Sequence, residues 1–409
     1  MRKQFFLALL LLGAVNLHLT AQHSCYSFNY EENELLNNPE LRIRTEQIES
    51  FIKNKQQESE SIQFRGEHLS VITIPVVIHI LYHNSSENIS DELVASQMTA
   101  LNQCFRRLNA DTVNTPDRFK EVAADCKIEF KLAISDPQRR ATTGVVRKYT
   151  PIAKWSADDQ MKFSSKGGDD AWDAESYLNI WVCNLSNLLG YASFPGSDPA
   201  KDGIVIGFNA FGGKTTVHET GHWLGLRHTW GDAYCGDDWV DDTPKQGNFT
   251  SGCPSGIRLS CDNSPDGDMY MNYMDLTDDA CINLFTEGQK ARMRALFGAG
   301  GARVGILSSY GLQTPLISEI PVEEEFPKWL SPHLYPNPAN DEITLDLSCD
   351  IRWMGNTIKI IDMQGQPRIN TVIDTKIMKI NISRLKPGVY IITAKKEDGS
   401  TIKQKLIKM

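Results

Sequence analysis

Residues 214–228 read KTTVHETGHWLGLRH, and this stretch decides how the whole chain is interpreted. On an α-helix His218 and His222 lie one turn apart on the same face, so both imidazoles can reach one cation. Gly225 allows the chain to leave that helix in a conformation that a Cβ disfavours. The resulting turn brings His228 round as a third nitrogen ligand, and three neutral imidazoles around zinc leave a fourth position open for water.

Glu219 stands between the two helical histidines, where its carboxylate can activate a zinc-bound water instead of binding the metal. Zinc lowers the pKa of such a water, and Glu219 as general base would take its proton before the attack on a scissile carbonyl. The full spacing H-E-x-x-H-x-x-G-x-x-H fixes five residues and is far more specific than its first half. It predicts a zinc-dependent endopeptidase acting on protein and peptide substrates. The alternative is a zinc-bound adhesin or binding protein without turnover, which would have no use for Glu219.

The same pattern calls for a methionine in a tight turn that forms a hydrophobic floor under the metal. Residues 272–275 read NYMD, which makes Met274 the candidate for this Met-turn. Taken alone, Met274 would be interpreted as core packing. The distance of Met274 behind the histidine motif favours its role as the hydrophobic floor under the metal.

Composition and the first residues indicate an exported globular protein. The chain has 409 residues with 41% hydrophobic and 23% charged residues, which is ordinary for a globular protein. The net charge of −9 argues against nucleic acid as a partner. Arg2 and Lys3 precede an apolar run from Phe5 to Val15, and Ala21 offers a small residue at a cleavage point, which is typical of a secretory signal peptide. We therefore expect an exported protein without a transmembrane segment, and a monomer.

The rest of the chain divides by changes in composition and periodicity. A polar stretch that could hold a short helix over 39–52 but little core is predicted to be a pro-segment, with a flexible N-terminal arm as the alternative. A helix capped by Ser90 and β-branched runs at 71–80, 128–134, 143–149, 177–183 and 203–208 then predict a mixed sheet with stacked helices. We divide the chain into a signal peptide 1–21, pro-segment 22–65, catalytic domain 66–312, linker 313–330 and C-terminal domain 331–409.

The C-terminal domain has a different pattern from the catalytic domain. Short alternating runs separated by Gly- and Pro-containing turns predict a small all-β sandwich. The expected strands are 343–347, 357–361, 379–382, 389–394 and 402–407.

Three segments resemble the pappalysin family of the metzincin metallopeptidases: HETGHWLGLRHTW at 218–230, VDDTP at 240–244 and NYMDLTDDACINLFTEGQKARM at 272–293. The resemblance covers about residues 70–310. It implies an α+β catalytic domain with a twisted mixed sheet, a backing helix and the active-site helix. An irregular C-terminal subdomain would follow, ending in a helix over 286–297.

The resemblance also implies how part of the irregular subdomain is held together. The chain has nine cysteines, an odd number, so at least one is free or pairs outside the chain. Spacing leaves all three connectivities of the four downstream cysteines open, whereas the family implies Cys235–Cys261 and Cys253–Cys281. Cys104 and Cys126 could form a further pair. The family implies structural calcium as well, and an acidic solvated turn is the alternative. The candidate calcium ligands are Asp238, the Asp241 carbonyl and Thr243.

Specificity and latency follow from the same resemblance. It implies cleavage on the N-terminal side of Lys or Arg, with an acidic group at the base of the S1′ pocket. A Cys25 thiolate could fill the open zinc position and keep a zymogen silent, or Cys25 could be an unpaired bystander. Many metzincins carry a tyrosine two residues after the methionine, and this chain has Leu276 there. Self-processing would fall before one of the basic residues Arg42, Arg44, Lys53, Lys55 and Arg65.

The C-terminal domain resembles the sorting domain of the type IX secretion system. The likeness rests on YPNP at 335–338, LKPGVY at 385–390 and KLIK at 405–408. It implies the type IX secretion machinery as a partner and an extracellular or outer-surface location. The alternative is a carbohydrate- or protein-binding sandwich.

Overall fold

A computed structural model describes residues 25–63, 69–318, 332–347, 353–396 and 401–409, with the backbone alone for 57–63. The predicted signal peptide 1–21, Arg65, Cys349 and residues 319–330 of the predicted linker lie outside these ranges. Within them, every helix is too short or too polar to cross a bilayer.

A six-stranded mixed sheet forms the centre of the catalytic domain. Its strands are β1 Ile72–Tyr82, β2 Ile128–Leu132, β3 Val145–Tyr149, β4 Leu178–Cys183, β5 Gly190–Ala192 and β6 Ile204–Gly207. The order is β2-β1-β4-β6-β5, and β3 pairs with the second half of β1, beyond β2. All pairings are parallel except that between β5 and β6. β4 is buried at every position, as expected for a parallel strand covered on both faces.

Helices cover the sheet and carry the site. α3 (Asp91–Phe105) begins at Ser90, whose side chain accepts the Leu93 N–H, as the sequence predicts. α5 (Thr215–Trp223) carries the histidine motif and packs against β5 and β6. α6 (Glu287–Ala295) begins with a capping box between Thr286 and Gln289. A short helix, α4 (Asp117–Lys120), lies between α3 and β2.

The predicted pro-segment contains more structure than its composition indicated. It forms α1 (Ser27–Asn37) and α2 (Pro39–Gln63), and Ile52 on α2 is completely buried in the main core of the catalytic domain. The expectation of one short helix with little core is therefore wrong. Few residues of α2 are apolar, but they lie on one side of the helix and pack into the core of the catalytic domain.

The cysteines are distributed between cross-links and the core. Disulfides join Cys235 to Cys261 and Cys253 to Cys281, the pairs that the family resemblance implies. Cys104 and Cys126 are both buried and free, so the expectation that they pair is wrong. They serve as small apolar residues of the core beside α3.

The C-terminal domain consists of two small antiparallel sheets around a core of its own. One sheet has the order β10-β9-β12-β13 and the other β11-β8-β7. The strands are β7 His333–Tyr335, β8 Glu342–Asp346, β9 Thr357–Asp362, β10 Pro367–Val372, β11 Ile377–Asn381, β12 Gly388–Lys395 and β13 Thr401–Lys408. The sequence missed β7 and β10, because both are edge strands with mostly exposed side chains and little apolar alternation.

Candidate active site

Three imidazoles converge on one point at the end of α5. His218 and His222 lie one turn apart on the helix, and Gly225, with φ of +81°, turns the chain so that His228 reaches them. The Nε2 atoms of the three rings are separated by 3.1 to 3.3 Å. Three buried imidazole nitrogens that approach one another this closely fit the ligand set of a shared cation.

The other nitrogen of each ring is held by an oxygen. Nδ1 of His218 donates to the Tyr273 carbonyl at 2.7 Å, and Nδ1 of His222 donates to the Leu226 carbonyl at 2.9 Å. Nδ1 of His228 donates to the Asp232 carboxylate at 2.5 Å. These contacts fix the tautomer that leaves every Nε2 lone pair free for a metal.

Burial keeps this cluster neutral. All three rings are buried, and for His222 desolvation, followed by its two histidine neighbours, holds the pKa well below its usual range. A neutral imidazole is the form that binds zinc. The donor set and its outer contacts therefore fit a zinc ion.

Glu219 lies beside the histidines and is almost completely buried. Desolvation raises the pKa of its carboxyl to about 7, although hydrogen bonds from Ser27 and Cys25 act in the opposite direction. A carboxyl group with a pKa near neutrality can both take up and release a proton.

Residues from the pro-segment close the site. The Cys25 Sγ lies 3.5 Å from the His222 Nε2, and it forms with the three histidines a group whose ligand atoms all lie within 4.8 Å of one another. The Ser27 hydroxyl donates to the Glu219 carboxylate at 2.6 Å and accepts the Ala192 N–H at 2.8 Å. Burial, followed by the charge of Glu219, raises the pKa of the Cys25 thiol, whereas a bound cation would favour the thiolate.

Met274 contacts the active-site helix from below. It is completely buried, and a Cβ built on Gly221 would lie only 2.4 Å from its Sδ. The turn is held by the Asn272 side chain, which accepts the Met274 N–H, and by the Tyr273 carbonyl on His218. A glycine at 221 thus allows the methionine turn to approach the helix.

The proposed calcium residues are only partly assembled. Thr243 Oγ1 donates to Asp238 at 2.7 Å, and both side chains are buried, whereas Asp241 is exposed. Burial raises the pKa of Asp238 to about 7. No lysine or arginine of the described residues forms an ion pair with Asp238, and Arg292, whose charge acts on it, pairs with Glu49.

A pocket opens beside His218 and Glu219. Leu276 lies at its rim, in the position where many metzincins have tyrosine. Asp275 is buried and bonded to Gln246 and to backbone N–H groups, whereas Asp279 is partly exposed. The remaining residues that line the pocket are Cys25, Leu189, Lys214, Thr215, Thr277 and Ile282.

Sequence reasoning missed Ser27, Asp232 and Asp279 as residues of the site. Asp232 follows His228 by four residues, which is a usable signal for a carboxylate behind a ligating histidine. Ser27 and Asp279 carry no such signal, because the fold alone brings them to the cleft.

Comparisons with known proteins agree with this geometry. Residues 163–298 match peptidase family M43, described as pregnancy-associated plasma protein-A, and residues 333–409 match the secretion system C-terminal sorting domain. An extracellular metalloprotease of Pyricularia oryzae is 32% identical over 254 residues, which are 56% of this chain and 76% of the relative. An extracellular metalloprotease of Verticillium alfalfae is 33% identical over 250 residues, with the same shares.

Two solved structures are similar over most of their length. Mature mirolysin of Tannerella forsythia in complex with a cleaved peptide is 47% identical, with a TM-score of 0.58, covering 60% of this chain and 98% of that one. A promirolysin mutant of the same organism is 43% identical, with a TM-score of 0.64, covering 71% and 98%. The chain therefore belongs to the pregnancy-associated plasma protein-A family of metallopeptidases, and it is an extracellular metalloprotease with a C-terminal sorting domain for type IX secretion.

Proposed function

We propose that the chain is the precursor of a zinc endopeptidase that cleaves proteins and peptides on the N-terminal side of Lys or Arg. The observation that carries this proposal is the convergence of His218, His222 and His228 with Glu219 at their side. A zinc ion bound by the three Nε2 atoms would supply a Lewis acid that polarises a carbonyl and lowers the pKa of a water.

The protein's own groups perform the proton transfers. The Glu219 carboxylate takes a proton from the attacking water and delivers it to the leaving amine nitrogen. With the pro-segment in place, burial raises the pKa of this carboxyl to about 7, so proton uptake and release lie near neutral pH. Met274 and the carbonyl behind His218 keep the imidazoles in place during the reaction.

This part of the proposal is tested with the processed enzyme and a denatured protein substrate. Chelation should abolish cleavage, and zinc should restore it. Glu219→Gln should lower kcat by about 10²–10⁴-fold while zinc content stays the same. Glu121→Gln, at an exposed carboxylate, is the matched control and should leave kcat unchanged. Equal cleavage by the Glu219 variant would overturn the mechanism.

The pro-segment, here 22–65 after a signal peptide 1–21, keeps the enzyme latent in our proposal. The distance from the Cys25 Sγ to the histidine cluster supports a thiolate as the fourth ligand of the metal. The match to promirolysin, which covers more of this chain than the match to the mature form, supports a pro-form here too. Cys25→Ala should raise the activity of the unprocessed chain, and Cys104→Ala should not. If the unprocessed Cys25→Ala chain is as inactive as the wild-type precursor, Cys25 does not keep the enzyme latent.

Selectivity for Lys or Arg requires a carboxylate in the pocket beside the zinc site, and we assign this role to Asp279. Asp275 is buried and bonds to surrounding donors, whereas Asp279, whose Oδ2 accepts the Lys214 N–H at 2.8 Å, is partly exposed in the same lining. The cut sites of a digested proteome should be enriched in Lys or Arg on their C-terminal side. Asp279→Asn should reduce that enrichment by about tenfold or more, since it removes an ion pair with the substrate. Retained enrichment would exclude Asp279.

We further propose that Asp238, the Asp241 carbonyl and Thr243 bind a structural calcium ion. The buried Asp238 carboxylate, which forms no ion pair with a lysine or arginine of the described residues, supports this assignment, because a buried charge is costly unless a cation offsets it.

A further inference from the structure

Three carboxylates of the pro-segment pair with three cations of the catalytic domain. The separations are 3.2 Å for Glu31 and Arg227, 3.1 Å for Glu34 and Lys201, and 2.6 Å for Glu49 and Arg292. Three carboxylates on the two pro-segment helices therefore neutralise three cations of the catalytic domain. These cations are uncovered when the pro-segment leaves.

Arg227 is the member of this set that borders the catalytic cleft. It directly precedes the ligand His228, and its guanidinium lies 5.8 Å from the centre of the Phe194 ring. The Phe194 ring in turn lies 5.3 Å from the ring of His222. Neither Arg227 nor Phe194 lines the pocket that contains Asp279, so Arg227 belongs to a separate part of the cleft.

The pro-segment supplies the counter-ion of the Arg227 guanidinium. Among the described residues, Glu31 is the one carboxylate that forms an ion pair with Arg227, and both side chains are largely buried. Lys201 differs, because it lies 3.6 Å from Asp159 of the catalytic domain as well as beside Glu34. Removal of Glu31 leaves a half-enclosed guanidinium without a counter-ion, and an anion that enters the cleft is favoured there.

The guanidinium is also held in position for recognition. It lies 4.1 Å from the centre of the Trp239 ring, and Arg292 lies 5.2 Å from the same ring. The Arg227 Nε is buried and has no hydrogen-bond partner. A stacked, planar guanidinium with a free donor is suited to a carboxylate, which accepts two parallel hydrogen bonds.

We propose that Arg227 forms a subsite in the processed enzyme that selects substrates with an acidic side chain on the N-terminal side of the scissile bond. This inference rests on the proposed endopeptidase function. Glu31 occupies the subsite in the precursor and shows that a peptide carboxylate fits it. The occupant is a peptide because the same segment bonds to the edge strand β5 through the Tyr26 N–H and the Ser27 hydroxyl.

The expected position of the acidic residue follows from geometry. Glu31 lies four residues beyond Ser27 on α1, which is about 6 Å along a helix. An extended substrate covers that length with about two residues. Since the basic residue enters the other pocket, the acidic residue belongs about two to four residues before the scissile bond.

Matched fluorogenic peptides test the subsite on the processed enzyme. All carry Lys after the scissile bond, and they differ in Glu, Gln or Lys at the second to fourth residues before it. The wild type should cleave the Glu peptide with about tenfold higher kcat/KM than the Gln peptide, and added salt should reduce the ratio. Arg227→Gln should bring the ratio to about one, and Arg227→Glu should favour the Lys peptide. Arg258→Gln, at an exposed arginine in the loop region, should keep the wild-type ratio.

Equal kcat/KM for the three peptides, or an unchanged ratio in Arg227→Gln, would overturn the inference. A second measurement needs no enzyme variant, because a labelled peptide of residues 27–37 should bind the processed enzyme about tenfold more tightly than its Glu31→Gln form. Equal binding of the two peptides would also overturn it. If the processed enzyme cuts none of the peptides, the endopeptidase function is contradicted instead. The binding measurement would then still test whether Arg227 forms a subsite for a carboxylate.

Discussion

The two halves of the catalytic domain are built in different ways. Residues 69–223 contain all six strands of the sheet and the helices α3 and α5, packed around a continuous apolar core. Residues 224–318 contain α6, which has nine residues, a short 3-10 helix at Val304–Ser308, and otherwise turns and irregular chain. In this second half two disulfides and buried polar contacts replace regular secondary structure.

Polar side chains perform in the second half the role that ladder hydrogen bonds have in the first. The amides of Asn272 and Gln289 bond to each other reciprocally at 2.9 and 3.0 Å. Asp242 accepts from Thr286 and from the Gly288 N–H at the start of α6. A chain segment with little apolar periodicity is thereby ordered through hydrogen bonds between its buried polar groups.

The zinc site takes residues from both halves, so neither half is sufficient to form it. The first half supplies His218 and His222, whereas the second supplies His228 and Met274. Apolar burial positions the helix, and the cross-linked loops position the third ligand. Changes in the two halves should therefore affect stability by different routes.

The largest expected effect is the removal of both disulfides by Ser at Cys235, Cys253, Cys261 and Cys281. A loop of this size closed by one disulfide contributes about 3 kcal/mol, so the loss of two overlapping ones should lower the free energy of unfolding by about 5 kcal/mol. Zinc affinity should fall too, because His228 lies in the loosened half. Chemical unfolding and chelator competition measure the two effects. Cys183→Ala, at a buried free thiol of the first half, is the control, and equal losses in both proteins would contradict this picture.

A smaller effect is expected for one cavity in the sheet. Ile180 is completely buried in the middle of β4, and Ile180→Ala should cost about 3 to 4 kcal/mol in unfolding experiments. Ile257, in the loop half, is 54% exposed, and Ile257→Ala should change stability by less than about 0.5 kcal/mol. Similar costs at the two sites would remove the contrast between the halves.

The contact between the halves is tested by Gly221→Ala. On an open helix this change stabilises by about 1 kcal/mol, but here the new methyl group would collide with Met274 Sδ, so a loss of about 1 to 3 kcal/mol is expected. Melting temperature and zinc content are the measurements. With Met274→Ala present as well, Gly221→Ala should cost much less, and simple additivity of the two changes would disprove the contact.

The smallest effect concerns calcium and pH at Asp238. Because burial raises its pKa from 3.8 to about 7, the native state without a cation binds more protons than the unfolded chain between these values. The contribution of Asp238 to stability is therefore present below pH 4 and lost as the pH rises to about 7. Calcium favours the ionised form, so it should raise the melting temperature more at pH 8 than at pH 5, by about 3 °C. In Asp238→Asn the calcium effect should vanish, and a persistent effect would place the ion elsewhere.

Local patterns were sufficient for the elements that bury their own side chains. The strands β1, β2, β3, β4 and β6 and the helix α3 were predicted within a few residues, because their periodicity is strong. The helix α6 was implied by the family resemblance instead, over 286–297. The edge strand β5 was missed, since it has three residues and takes its order from β6. The free Cys104 and Cys126 were misjudged, because pairing depends on how side chains are oriented in the core.

The sequence by itself determined the chemistry of this protein. The spacing of His218, Glu219, His222 and His228 places the metal ligands and the general base on one helical turn and the bend that follows it. Such spacing can be interpreted from sequence because the geometry of a helix depends only on neighbouring residues. Only the tertiary structure decided what surrounds that chemistry. The approach of Met274 to Gly221, the placement of Cys25 at the histidines and the pairing of Glu31 with Arg227 join residues far apart in the chain. Their proximity follows from the packing of whole elements, which no local pattern contains.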